Sequence, residues 1–180
     1  MNRKATPILL AAVVLMSALA FYLDRPRREA AAPQRTASGK TVLSIRQEDV
    51  TQIRVKRDYW NSYTLAKSAD GTWRLVEPSA EPASEAAVRK LLNALESLPA
   101  TSVIDLPHDS DRRREYGLWT PSVEVAVSVP QGEQILIVGT PTADGKGIYC
   151  ARMGQDAVYV TTAESLQVLS QELAAYRQEH

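Results

Sequence analysis

The chain has 180 residues, 44% of them hydrophobic, with Lys+Arg and Asp+Glu balanced at 21 each, enough for one ordinary domain plus a tail or anchor. The balance hides an asymmetry: residues 1–28 hold five Arg/Lys and one Asp, which leaves 16 basic side chains against 20 acidic in residues 29–180. A mildly acidic remainder excludes a field that would gather nucleic acid, and a lone cysteine, Cys150, excludes an intramolecular disulfide.

The first 28 residues, MNRKATPILLAAVVLMSALAFYLDRPRR, place an uncharged run from Ala5 to Leu23 between a short basic start and Asp24 with three arginines. At the N-terminus such a run is an export or anchoring segment. Pro7 to Leu23 as a helix spans roughly 25 Å, slightly short of a bilayer core of about 30 Å, a gap that snorkelling arginines or mild thinning would close. Ala18-Leu19-Ala20 has the form of a signal-peptidase site, which would release a chain beginning at Phe21. The apolar run nevertheless continues through Phe21, Tyr22 and Leu23, with Phe21-Tyr22 like an interfacial belt, and this favours an uncleaved anchor over residues 1–24. Charges on the two flanks nearly match, so the positive-inside rule barely discriminates. The topology adopted keeps the short N-terminal tail in the cytoplasm and exports the domain. Residues 25–40, rich in Pro, Ala and Arg, read as a flexible spacer.

From Thr41 the chain punctuates itself. TQIRVKRD alternates as a half-buried strand, YTLAKS follows, Ala69-Asp70-Gly71 makes a hairpin turn, and TWRLVEP completes a three-stranded meander with Trp73 and Leu75 on one face. Pro78 and Pro82 bar further strand or helix until Ser84. Ser84 caps a helix whose Val88, Leu91, Leu92, Leu95 and Leu98 form one stripe, stopped by Pro99. TSVIDLP is extended; HDSDRRREYG is a turn or two of helix, capped by Asp109 or Ser110 and closed by Gly117. SVEVAVSV sets Val123, Val125, Val127 and Val129 on one face, QILIVG, GIYCAR and AVYVTT follow as strands, and AESLQVLSQELAAYRQ reads as one amphipathic helix with Leu166, Leu169, Leu173 and Tyr176 in register. The expected fold class is α+β: an N-terminal transmembrane helix, then two antiparallel meander-plus-helix units over residues 41–178 (halves 41–100 and 117–178) that read as an internal duplication. EYGLWTP is the joint between them, with Leu118 and Trp119 packing.

The stretches YTLAKSADGTWRLVEP, AVRKLLNALESLPA, EYGLWTPSVEVAV, LIVG and YCARMGQDAVYVT together resemble the bacterial domain-of-unknown-function 4340 family over about residues 41–176. The resemblance implies an anchored envelope protein of the kind often encoded beside auxiliary parts of gliding-motility-type ABC transporters. It implies no catalytic residue.

Chemistry-bearing motifs are few. GTPTADGKG (Gly139 to Gly147) departs from a phosphate loop in its spacing, in the missing Ser/Thr and in the strand that follows it, and reads as a flexible hairpin loop. Asp105, His108, Asp109 and Asp111 are neighbours along one extended stretch; a weak cation site is conceivable, and a capped, solvated turn is the simpler reading. Cys150 and His108 lack the companions that thiol catalysis or zinc requires. Arg112-Arg113-Arg114 reads as a solvated face offset by Asp111 and Glu115. Tyr59, Trp60 and Tyr63, in DYWNSY, are the candidate partner-binding residues: aromatics of a hairpin loop stack on sugars or apolar surfaces, although strand alternation would bury one or two of them.

No catalytic, cofactor or metal site is expected. The expected function is a non-enzymatic accessory protein of the bacterial inner membrane, single-pass, with its domain in the periplasm and an envelope protein, such as an ABC-transporter subunit, as partner. The alternative is a soluble periplasmic module, released by cleavage, that binds glycan or peptide through the aromatic loop.

Overall fold

The computed structural model describes residues 34–36, 39–57 and 61–178. The expected anchor, the spacer as far as residue 33, Tyr59, Trp60 and His180 lie outside them. No helix among the described residues is long and apolar enough to cross a membrane.

Ten strands are described: β1 (Gln34–Thr36), β2 (Gln52–Lys56), β3 (Ser62–Lys67), β4 (Trp73–Glu77), β5 (Glu81–Pro82), β6 (Ser102–Asp105), β7 (Val123–Val129), β8 (Gly132–Pro141), β9 (Gly147–Arg152) and β10 (Ala157–Thr162). They form one antiparallel sheet in the order β1-β6-β10-β9-β8-β7-β2-β3-β4-β5. The domain is thus mostly antiparallel sheet with few helices. β2 and β7 pair at its centre, Ile53 against Val127 and Val55 against Val125, and from them each half spreads outward as a meander.

The helix α1 (Glu85–Glu96) forms where expected. The Ser84 hydroxyl accepts from the Ala87 N–H (3.4 Å), and the Glu85 carboxylate accepts from the Trp73 N–H (3.0 Å), which ties the helix start to β4. Val88, Leu91, Leu92, Leu95 and Leu98 are all buried, each contributing roughly 1.5–3 kcal/mol. They share one core with Ile53, Val55, Leu65, Trp73 and Leu75 of the first meander and Val125, Val127, Leu136 and Cys150 of the second. A smaller core lies elsewhere, where Leu106 and Leu118 join Ile104, Ala151, Val158 and Val160.

Several expectations change. Pro82 does not bar pairing: it lies opposite Arg74 in the two-residue terminal strand β5, an edge position where its missing N–H is tolerated. Three residues of the expected spacer, Gln34–Thr36, pair with β6. The final segment is not one helix. It breaks into α2 (Ala163–Leu166) and 3-10 turns at Gln167–Ser170 and Leu173–Tyr176, with Gln171 and Glu172 extended between them. The cause is where the chain must arrive. Tyr176 is fully buried against Tyr63 (ring centroids 5.1 Å apart), its carbonyl accepts from Ser84 N–H (2.9 Å), and Arg177 bridges Ala83 beside β5.

Candidate functional site: a cleft at the start of β3

The break in the last helix opens a cleft of about 430 Å³. On one side it is lined by Arg57 and by Asn61, Ser62 and Tyr63 at the start of β3, on the other by Gln171 to Ala174 and Arg177, with Pro78 also in the lining. Of the three aromatic candidates, only Tyr63 lies among the described residues, and it is a floor residue rather than an exposed platform, 3% accessible. Alternation along β3 puts it on the core side with Leu65. Its hydroxyl is closed off from water beside Tyr176, whose own hydroxyl donates to the Val168 carbonyl (3.3 Å). Burial, and then the Tyr176 hydroxyl, push the Tyr63 phenol far above its ordinary range, so it stays protonated at neutral pH and can donate. Arg177 holds Glu81 through Nε (3.0 Å) at the cleft mouth.

The sequence singles out the loop as a candidate and gives little sign of the wall at residues 171–177. Residues 171–177 were hidden inside an apparent helix, and the only local hint was the polar pair Gln171-Glu172 ahead of the apolar LAAY.

The other motifs serve the fold. At the joint, Ser110 caps a 3-10 turn over Asp111–Arg114 by accepting from Arg112 N–H (3.3 Å). Arg113 is not on a solvated face: it is 4% accessible and donates to the carbonyls of Leu106 (3.3 Å), Gln155 (2.9 Å) and Ala157 (3.4 Å). Burial pulls its pKa below the usual guanidinium value. Leu118 packs as expected, whereas Trp119 stays 49% exposed with the Arg114 guanidinium 4.4 Å from its ring centre. Gly117, at φ +70°, turns the chain so that the Tyr116 carbonyl accepts from Thr140 N–H (2.9 Å). A β-carbon on Gly139 would run into that same carbonyl oxygen. Within EYGLWTP, Tyr116 to Leu118 make a close-packed seam with β8.

The His108 N–H donates to the Asp156 carboxylate (2.9 Å), whose oxygen also lies 3.1 Å from Nδ1 of the same histidine; these contacts hold the Asp156 carboxyl below its ordinary range. No group of Asp105, Asp109, Asp111 and His108 able to hold a metal forms among the described residues. The Asp144 carboxylate accepts from Thr142 Oγ1 (2.6 Å) and Lys146 N–H (3.2 Å), so the former phosphate-loop candidate closes on itself. Cys150 is fully buried, and that burial pushes its thiol up to about 12.

The family model described as Domain of unknown function (DUF4340) matches residues 31–118 and again 73–180. The chain belongs to this family. No curated protein and no solved structure matches it. The two DUF4340 matches overlap over residues 73–118, the stretch that carries β4, α1, β6 and the joint.

Proposed function

We propose that this DUF4340 protein is a non-enzymatic, single-pass accessory protein of the bacterial inner membrane, with its sheet domain in the periplasm and held against an envelope protein complex. The observation that carries the reading is the uncharged run Ala5–Leu23 ahead of the domain, continuing past the candidate cleavage site into Phe21-Tyr22-Leu23. The placement of the reactive side chains favours a binding rather than a catalytic role. The Cys150 thiol is sealed in the core, the His108 ring is held by Asp156 on the surface, and Arg113 is spent on three backbone carbonyls. Subunits of an ABC-transporter-type complex are the first partners to look for, a choice supported by family resemblance.

We also propose that the domain arose by internal duplication. Each half runs outward from the central pair as four strands, then a helical segment, then a return to the other half's terminal strand: β6 to β10, and Arg177 to Ala83 beside β5. The repeated order and the overlapping family matches support this.

The test is a C-terminally tagged protein in its native host, with membranes isolated, gently solubilised and pulled down. Intact mass and co-purifying proteins are then measured. A full-length mass with envelope subunits attached is expected. A mass beginning at Phe21, in the soluble fraction and without partners, would reject the anchored reading and favour a released binding module.

A further inference from the structure

We draw no further inference here: the strongest candidate, the groove of about 580 Å³ that β6 and β10 form with the β8–β9 hairpin, carries nothing, because the hydroxyls of Thr101, Thr142 and Thr162 and the Asp144 carboxylate in its lining are already bonded within the fold and nothing in the structure shows what would fill it.

Discussion

Follow one row of residues across the sheet on the face away from α1. Ser62 lies opposite Lys56, Lys56 opposite Glu124, Glu124 opposite Ile137, and Ile137 opposite Ala151. Further on, Val158 pairs with Ile104. Within that row the environment changes from water to core. On β2 and β4 this face presents Arg54, Lys56, Arg74 and Val76, and Arg54 reaches across to Glu133 at 2.8 Å. On β9 and β10 it buries Ala151, Val158 and Val160 beneath Leu106 and Leu118. Two meanders of the same order have therefore been put to different use: the first is wet on one face, while the β9–β10 end of the second is covered on both.

The largest effect tests what the halves share. Leu92 sits in the core common to both meanders, and Leu92→Arg would force an unpaired charge into it. The expected result is loss of the cooperative unfolding transition of the whole domain. Separate melting, with β7–β10 retained, would show that the two halves are independent units.

Next comes the cover itself. Gly139→Ala drives a methyl into the Tyr116 carbonyl at the seam, whereas Gly71, in the β3–β4 turn, has open space around it. Gly71→Ala meets only the backbone strain of φ +86°, about 1–2 kcal/mol. Gly139→Ala is expected to cost more than about 3 kcal/mol, because the seam must shift from β8. Equal midpoints in urea for the two variants would mean that the cover is loosely seated.

This contrast explains what was legible beforehand. A strand wet on one face alternates, and TQIRVKRD and TWRLVEP announce their core residues. A strand covered on both faces shows apolar residues at successive positions, as in LIVG and AVYV, and says nothing about which neighbour covers it. So Val123, Val125, Val127 and Val129 were readable as one face, while the burial of Arg113 was not: its three carbonyl partners lie at Leu106, Gln155 and Ala157, up to 44 positions away. The cleft was half legible for the same reason. DYWNSY is a local signal, but the wall at Gln171–Ala174 exists only because the chain is drawn towards Ser84 and Ala83 by contacts distant in sequence.

How tightly the second half is sealed is measurable at Cys150, on the α1 side of β9. Its thiol ordinarily titrates near 9 and burial pushes it up to about 12. The folded pKa is raised, so the stabilisation is fully present below about 9 and is lost as pH climbs towards 12, because the unfolded thiol ionises first. The slope is about 1.4 kcal/mol per pH unit within that window. Tyr63 and Tyr176 are shifted in the same direction and add to the loss at higher pH, so the informative quantity is wild type minus Cys150→Ala between pH 9 and 10. A thiol reagent at pH 8 is expected to label the protein only after unfolding; rapid labelling of the native state would show that this half opens locally.

The smallest effect lies at the rim of the cover. Trp119 follows the buried Leu118, yet remains 49% exposed with Arg114 over its ring at 4.4 Å. The stack is solvated, so its coupling should amount to about 0.5–1 kcal/mol, well below what a desolvated cation–π pair contributes. A double-mutant cycle of Arg114→Ala and Trp119→Ala measures that coupling free of the other contacts each residue makes. A coupling above about 2 kcal/mol would mean that the seam extends over Trp119 and that the covered region reaches further than Leu118. A coupling within the expected range leaves Trp119 as a side chain that can be changed without loosening the seam. Pull-down from membranes with Trp119→Ala then asks whether the exposed ring contributes to partner capture, with folding held constant.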